Sequence, residues 1–333
     1  MQRIIILLFV SLISMNLLHA EIKIGIIGLD TSHAPAFTKL INAENKQDQY
    51  KGFRIVAAYP YGSRTIQSSY ERIPKYIEDV KSYGVEIVES ITDLLEKVDC
   101  VMLETNDGNL HLEQAAEVFK AGKIVFIDKP IGADLVQSIA IFALAKQYKV
   151  PMFSSSALRF TPQNQKLAKG EFGEIIGVDC SSPSPGEPSH ADFSWYGMHG
   201  VETLFTAMGT GCISVSRVSS EGTDVVTGLW EDGRIGTFRG IRQGKGVYGG
   251  RAYTAKGVVE VGGYEGFGHM LDHMMVFFKT GITPVSEQET LEIFTFMEAS
   301  NISKSKNGKI ISMEKTYKDA AKKAKKLLKR KQL

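Results

Sequence analysis

Residues 22–33, with the sequence IKIGIIGLDTSH, decide the fold of this chain. They join an apolar run to a glycine and then to polar residues, which is typical of the first strand and phosphate turn of a dinucleotide-binding domain. Aligned on Gly28, the pattern G-x-G-x-x-G carries Asp30 and His33 where the second and third glycines are expected. Taken alone, this motif is a weak indicator of cofactor binding.

Residues 1–20 have the parts of a secretory signal peptide. One cation, Arg3, is followed by an unbroken apolar run from Ile4 to Val10, and Ala20 provides a small residue at the cleavage point. We therefore expect cleavage and export to the periplasm or the extracellular space. Membrane contact is expected only if the segment stays uncleaved, and its apolar run is a little short for a full span.

The composition indicates an ordinary globular protein, with 43% hydrophobic residues and a formal net charge of +2. After cleavage about 310 residues remain, enough for two domains, which we place at 21–156 and 157–333. Nucleic acid is not an expected partner of an exported protein. Cys100, Cys180 and Cys212 are widely spaced and form no C-x-x-C pair, so we expect buried apolar residues rather than a zinc site or disulfides.

In residues 21–156, short apolar runs alternate with helical segments, the pattern of a parallel sheet with crossover helices. The predicted strands are 22–27, 54–59, 86–89, 100–103, 124–127 and 151–154. The clearest predicted helices are 33–43, 71–82, 110–121 and 135–148. The sequence therefore predicts an α/β domain with a Rossmann-like, doubly wound parallel sheet.

Residues 157–333 are richer in β-type segments and predict an α+β domain with a large, mainly antiparallel open sheet. Its predicted strands are 174–180, 214–220, 224–230, 234–241, 247–255 and 258–261. Predicted helices at 198–208, 269–279 and 287–303 would cover one face, and the last would return to the first domain. The lysine-rich segment 315–331 predicts an amphipathic helix packed on the body, with a membrane-surface role as the weaker alternative. The open sheet offers a surface for a homo-oligomer.

Four short motifs fall in an order that identifies a family. The fifth predicted strand ends in Asp128-Lys129-Pro130, which is similar to the Glu-Lys-Pro motif of the Gfo/Idh/MocA (glucose-fructose oxidoreductase and inositol dehydrogenase-like) family. The other landmarks are Asn109-Leu110-His111, the Arg159-Phe160 pair at the domain junction, and Gly197-x-His199-x-x-Glu202. The resemblance covers essentially the whole mature chain and identifies it as an exported member with a degenerate glycine motif.

The resemblance implies hydride transfer between a nicotinamide cofactor and a secondary hydroxyl or ketone of a sugar or polyol. The histidine matching His199 takes the proton of the alcohol in that family, and the unperturbed pKa of histidine suits this role. Lys129 lies where a parallel strand meets its loop, at the edge where such sheets bind ligands, and would orient the hydroxyl. As an alternative, Lys129 would be a surface residue paired with Asp128.

Cofactor choice should be decided near the end of the second strand, where an acidic residue normally binds the ribose. This chain has Ser63 and Arg64 there, which would accept the 2′-phosphate of NADP, although an ordinary turn is equally consistent, so NAD remains the other candidate. Asp30 would repel a pyrophosphate unless it turns aside to cap the first helix. The predicted cofactor-binding residues are Gly28, Asp30, His33, Ser63, Arg64 and Asp128.

Substrate contacts are predicted at the domain junction and in the second domain, at Arg159, Asp192, Trp195 and Glu202. Aromatic and acidic side chains suit a carbohydrate, because rings stack on sugars and carboxylates bind hydroxyls. Inositol dehydrogenase-like members place an aspartate four residues before the histidine, where this chain has Trp195. We therefore expect that either Glu202 or Asp192 orients His199, or that the site carries out different chemistry. No metal site is predicted.

The sequence favours an NAD(P)-dependent oxidoreductase acting on CH–OH groups. The alternative is a cofactor-free, non-catalytic descendant that binds a carbohydrate or a partner, which the broken glycine motif and the export signal would both support.

Overall fold

A computed structural model describes residues 21–333, so the predicted signal peptide lies outside the described residues. The first sheet is parallel and has the strand order β3-β2-β1-β4-β5-β6. Its strands are β1 (Ile22–Ile27), β2 (Phe53–Tyr59), β3 (Glu86–Ile87), β4 (Cys100–Leu103), β5 (Ile124–Ile127) and β6 (Met152–Phe153). All six predicted strands are confirmed, with ends shifted by at most two residues.

Helices cover both faces of this sheet, as parallel strands require. They are α1 (His33–Asn42), α2 (Gln67–Tyr70), α3 (Ile73–Lys81), α4 (Ile91–Leu95), α5 (Gly108–Lys120) and α6 (Leu135–Tyr148). The predicted helix 71–82 begins later than expected, because Pro74 occupies the first turn of α3, where its missing N–H is not needed. The short helix α4 was not predicted.

The second sheet has the strand order β12-β11-β7-β10-β9-β8-β13. Its pairs are antiparallel, as predicted, except for the parallel pair β7–β10. The strands are β7 (Ile175–Pro183), β8 (Cys212–Ser219), β9 (Thr223–Trp230), β10 (Ile235–Ile241), β11 (Gly249–Thr254), β12 (Gly257–Val261) and β13 (Ile311–Ser312). The short strand β13 was not predicted.

The remaining helices divide between the two sheets. They are α7 (Pro162–Ala168), α8 (Met198–Met208), α9 (Gly268–Thr280), α10 (Glu287–Ser305) and α11 (Met313–Lys331). Helices α8 and α10 pack on the second sheet, and both α10 and α11 also contact α6 of the first domain. In the described part of the chain, no helix combines the length and apolarity that crossing a membrane requires.

The expected position of α9 was wrong. Its apolar side chains do not cover the second sheet; they join the core on the α1 face of the first sheet, where Phe277 meets Phe153 with ring centroids 4.8 Å apart. This face carries fewer helices of its own than the opposite one, and a parallel sheet needs both faces covered. The three cysteines are buried and unbridged, as predicted.

The strands β1, β4 and β5 are neighbours and end in register, because Ile27 pairs with Leu103 and Leu103 pairs with Ile127. The next residues along the chain are Gly28, Glu104 and Asp128. Their side chains or backbone therefore meet at one edge of the sheet, which is the edge where open α/β sheets bind ligands.

Candidate active site

A cavity of about 340 Å³ lies at this edge, between the first sheet and the second domain. Its volume falls at the lower end of the range for small-molecule pockets, about 300–1,000 Å³. Both domains contribute to its walls, which are formed by Thr31, Ser32, His33, Ser68, Arg72, Asn106, Asp128, Lys129, Ser156, Ala157, Leu158, Trp195, Tyr196, His199, Tyr248, Tyr264 and Phe267. The two predicted catalytic residues are thus brought to one cavity from different domains.

His199 is in the first turn of α8, and its ring is held from the first domain. The hydroxyl of Ser156 lies 2.7 Å from its Nδ1 atom. This contact leaves Nε2 as the nitrogen for the cavity. Tyr196 and Tyr248 pack edge-on against the ring, with centroids 5.8 and 5.7 Å away. His199 is therefore fixed by one hydrogen bond and two aromatic contacts.

The charge state of His199 suits a proton acceptor. Burial lowers its pKa, and the nearby cations Lys129 and His33 lower it further, so that the pKa lies well below 6.5. Asp128 opposes this shift without reversing it. The imidazole is neutral at pH 7, which is the form that a general base needs.

Lys129 is 8% exposed and faces the same cavity, with its ammonium 5.4 Å from the centre of the Tyr196 ring. Lys129 does not form the simple surface pair with Asp128 that was the alternative. One oxygen of Asp128 accepts the backbone N–H of Lys129 at 2.7 Å, and the other lies 2.9 Å from Nδ1 of His33. The ammonium of Lys129 is therefore available to a ligand.

A histidine and two carboxylates form a buried cluster below this cavity. Nδ1 of His33 lies 2.9 Å from Asp128 and 3.5 Å from Glu104. Burial alone would lower the pKa of His33, but the two carboxylates outweigh it and raise the pKa to about 9. Burial and Asp128 raise the pKa of Glu104, whereas His33 and Lys129 hold the pKa of Asp128 below its usual value despite burial.

Asp30 turns away from the cavity and is fully buried. Its carboxylate accepts the backbone N–H groups of Ser63 at 2.9 Å and of Asn106 at 3.0 Å. It therefore joins the loops after β2 and β4; it turns aside from the cavity, but not by capping α1. Burial raises its pKa to about 6, although these two hydrogen bonds act in the opposite direction.

Gly28, the one retained glycine of the motif, is required by packing. It has a φ of +92°, and a Cβ atom there would lie 2.5 Å from the backbone nitrogen of Thr105. The glycine thus lets the turn after β1 approach the loop after β4. Gly28 and Asp30 do not line the cavity themselves, and their predicted contact with a cofactor stays a prediction.

Ser63 and Arg64 both follow β2, but Ser63 is buried and Arg64 is exposed. Ser63 is 1% exposed, and its hydroxyl donates to Asp107 at 3.0 Å. Arg64 is exposed and lies over the ring of Tyr61, 5.8 Å from its centre. Neither lines the cavity, so the predicted recognition of a 2′-phosphate by this pair remains a prediction.

Arg159 and Glu202 contact each other rather than the cavity. Nε of Arg159 donates to Glu202 at 2.7 Å, and its Nη1 donates to Glu289 at 2.7 Å. Glu202 also accepts the backbone N–H of Ser156 at 2.8 Å. The expectation that Glu202 orients the imidazole was wrong, because it instead fixes the segment that carries Ser156.

Asp192 is also engaged elsewhere, so the expectation that it orients His199 was wrong as well. It pairs with Arg217 at 2.7 Å and with Arg242 at 2.6 Å, and these arginines hold its pKa far below the usual range against the effect of burial. Trp195 does line the cavity and packs on His190, with centroids 4.9 Å apart. Of the four predicted substrate contacts, only Trp195 lies at the cavity.

His111 has a structural role. Its two ring nitrogens lie 3.2 and 2.6 Å from the carbonyl oxygens of Ile131 and Thr105. His190 connects the domains, since its Nε2 accepts the backbone N–H of Gly108 at 3.1 Å. These histidines position loops around the site.

The sequence alone did not identify several residues of the cavity and of the cluster below it. Ser156 carried a signal, because it lies three residues after β6 and precedes the Arg159-Phe160 landmark. Glu104 is the residue after β4, as Asp128 is after β5, and that equivalence would have identified it. The aromatic wall of Tyr248, Tyr264 and Phe267 carried no local signal, because loops of the second domain bring it to the first.

The first domain matches a known family. Residues 22–155 match the profile of the Gfo/Idh/MocA oxidoreductase family, described as having an NAD-binding Rossmann fold. The chain is 28% identical over 114 residues to the uncharacterized oxidoreductase YhhX of Escherichia coli, covering 30% of this chain and 32% of that protein. It is 30% identical over 112 residues to dTDP-3,4-didehydro-2,6-dideoxy-alpha-D-glucose 3-reductase of Actinomadura kijaniata, covering 32% and 33%. The matches thus span about a third of these relatives' lengths.

Similarity of fold extends further than similarity of sequence. The crystal structure of scyllo-inositol dehydrogenase from Lactobacillus casei, with bound NAD(H) and scyllo-inositol, superposes with a TM-score of 0.70 at 17% identity. The superposition covers 88% of this chain and 99% of that one. Both domains and their arrangement are therefore shared with a solved structure.

Proposed function

We propose that this protein is an oxidoreductase of the Gfo/Idh/MocA kind, whose profile its residues 22–155 match, and that it oxidises a secondary hydroxyl of a sugar or polyol, or reduces the matching ketone. The observation that carries the proposal is the contact between Ser156 and His199 at 2.7 Å, in a cavity that Lys129 also lines. The imidazole of His199, the ammonium of Lys129 and the first residues of helix α1 thus all line the same cavity.

The residues around the cavity are compatible with a nicotinamide cofactor. Because the carboxylate of Asp30 is turned away and fully buried, Thr31 and Ser32 at the start of α1 face the cavity without that negative charge. Arg72 and Ser68 line the same side and would contact phosphate. When bound, the nicotinamide would supply the hydride acceptor.

Residues of the protein would bind the substrate hydroxyl and remove its proton. Lys129 would donate a hydrogen bond to the hydroxyl oxygen and stabilise negative charge on it. Nε2 of His199 would take the proton, while Ser156 holds Nδ1 on the other side of the ring. For the reverse reaction the same histidine would return the proton to the oxygen.

The second domain supplies surfaces suited to a carbohydrate ring. Trp195, Tyr196, Tyr248 and Tyr264 line the cavity. Aromatic faces pack on the apolar faces of sugars, and their polar edges leave the hydroxyls free for other contacts. The inositol and dideoxysugar substrates named for the similar proteins fit this chemistry, which supports a polyol or sugar as the partner of this chain.

We extend the proposal to the cellular setting and assembly of the protein. The export signal in residues 1–20 supports a periplasmic or extracellular location. The outer face of the second sheet carries exposed Ile213, Ile235 and Tyr253 among polar residues, which supports a homo-oligomer through that face. Size-exclusion chromatography with light scattering on the mature chain tests the assembly; a monomer would refute it.

The function is tested by titrating the purified mature chain with NAD and NADP in a calorimeter, followed by assays on a panel of sugars and polyols. We expect one nucleotide to bind and one substrate class to react, with turnover reduced about 10²- to 10⁴-fold in His199→Ala. Lys129→Ala should also be strongly impaired. If neither nucleotide binds at millimolar concentration, the oxidoreductase proposal is refuted.

A second candidate is a cofactor-free protein that binds a carbohydrate or a partner. The observation in its favour is that Asp30 joins the loops after β2 and β4 through Ser63 and Asn106. These loops border the region where a Rossmann domain holds the adenosine ribose. Sugar binding without nucleotide binding in the same calorimetric experiment would support this candidate.

A further inference from the structure

Three strand-end and helix-end segments of the first domain bring one imidazole and two carboxylates together. His33 begins α1, Glu104 follows β4, and Asp128 follows β5. One ligand atom from each residue lies within 4.8 Å of the other two. The grouping is a consequence of the sheet order, because β1, β4 and β5 are adjacent and end in register.

The hydrogen-bonding capacity of this cluster is not used up within the described residues. Both carboxylate oxygens of Glu104 have no hydrogen-bond partner among residues 21–333, and Oδ2 of Asp128 has only its ion-pair contact of 2.9 Å with Nδ1 of His33. Glu104 and Asp128 are both 0% exposed. Burying a carboxylate without a bonded partner is costly, so such a pair of oxygens calls for a compensating group.

The second layer of contacts orients these groups as it would orient metal ligands. The backbone N–H of Lys129 bonds Oδ1 of Asp128 at 2.7 Å, which directs Oδ2 toward the cluster. The ring of His33 is stacked on Phe37 and packed against Phe267, with centroids 5.3 and 4.6 Å away. Metal-binding side chains are commonly fixed by contacts of this kind.

The donor set also matches a particular class of ion. One imidazole nitrogen with two carboxylates suits divalent transition metals such as Zn²⁺ or Mn²⁺, and the charge of the ion equals that of the two carboxylates. The ion would replace the proton that His33 holds at neutral pH, because a histidine binds metal in its deprotonated form. His33 and Asp128 line the cavity, whereas Glu104 lies behind them. An ion here would therefore keep a coordination position open to the cavity.

We propose that His33, Glu104 and Asp128 bind one divalent transition-metal ion at the floor of the cavity. The open position of the ion would take an oxygen atom of a ligand in the cavity, beside Lys129 and His199. The proposal does not depend on nicotinamide binding. It distinguishes this chain from one in which His33 and the carboxylates form only an internal ion pair.

The test uses the purified mature chain after treatment with EDTA and buffer exchange. Calorimetric titrations with Zn²⁺ and with Mn²⁺ should give one site per chain, and Mn²⁺ should show the electron paramagnetic resonance spectrum of a bound ion. The bound metal should also raise the melting temperature, because it binds the folded state.

The variants Glu104→Gln and His33→Gln should weaken metal affinity at least tenfold and abolish the metal-dependent shift in melting temperature. Glu96→Gln changes an exposed glutamate of the same domain and serves as the matched control, with wild-type affinity expected. Circular dichroism without metal checks that each variant is folded; if His33→Gln is not, Glu104→Gln carries the test. Absence of a site in the wild type, or equal affinity in Glu104→Gln, would overturn the proposal.

These readouts are independent of the proposed oxidoreductase activity. Metal binding without nucleotide binding would leave the metal site in place and refute the oxidoreductase. Nucleotide binding without metal binding would refute the metal site and leave the oxidoreductase proposal in place.

Discussion

The hydroxyl of Ser156 lies 2.7 Å from Nδ1 of His199 and holds the imidazole from the opposite domain. Glu202 accepts the backbone N–H of the same serine at 2.8 Å. The position of the ring therefore depends on how the two domains meet.

Replacing Ser156 with alanine should lower kcat about fivefold to tenfold with little change in KM, since one net hydrogen bond of about 1 kcal/mol is lost in the positioning of His199. Ser156→Thr keeps the hydroxyl and should retain more activity. In the His199→Ala background the serine substitution should add almost nothing. Equal, additive losses in both backgrounds would show that Ser156 acts independently of His199.

The pH profile of the oxidation should have its acid limb well below pH 6.5. His199 must be unprotonated to accept a proton, and burial together with Lys129 and His33 lowers its pKa while Asp128 only partly opposes them. Activity should thus persist as the pH falls through 6.5. NMR titration of the ring gives the same pKa directly, and the pKa should rise in Lys129→Met. An acid limb at pH 6.5 or above contradicts the assignment.

Restoring the glycine motif with Asp30→Gly should destabilise the protein. The carboxylate accepts two backbone N–H groups, and each one left buried without a partner costs about 1–3 kcal/mol. Urea unfolding of the wild type and the variant measures the difference. Asp48→Asn, at a fully exposed position, is the control and should change stability little. A variant as stable as wild type would show that Asp30 does not secure these loops.

Asp30 should also give stability a pH dependence opposite to that of an ordinary paired carboxylate. Its pKa rises from 3.8 to about 6 on folding, so between these values the folded state holds the extra proton. The free energy of unfolding contributed by Asp30 is highest at low pH and falls as the pH rises through about 6, by up to about 1.4 kcal/mol per unit. The difference between wild type and Asp30→Asn, measured from pH 4 to 7, isolates this contribution; a difference that increases with pH contradicts it.

Substitution of Glu202 by glutamine should act on stability before it acts on substrate binding. Glu202 and Arg159 form a buried ion pair, and breaking such a pair costs about 3–5 kcal/mol. Asp232→Asn breaks an exposed pair with Arg234 and should have little effect. Thermal unfolding and KM are measured together. A large rise in KM at unchanged stability would instead support the predicted contact between Glu202 and the substrate.

The sequence by itself determined the two sheets and most of their strands. Strands buried on both faces are continuous apolar runs bounded by turn residues, so 22–27, 100–103 and 124–127 were predicted with the observed bounds. The sequence also identified Lys129 and His199 as candidates, because each belongs to a short motif with a fixed place relative to a strand end or a helix start.

The tertiary structure alone decided what these residues contact. The sequence contains many acidic side chains near strand ends, and nothing local distinguishes Asp30, which bonds two backbone N–H groups, from Asp128, which faces His33. Likewise, α9 carries apolar residues that either sheet could have accepted. The strand order and the meeting of the two domains select among these partners, because hydrogen bonds, desolvation and charge pairing depend on distances that sequence separation does not set.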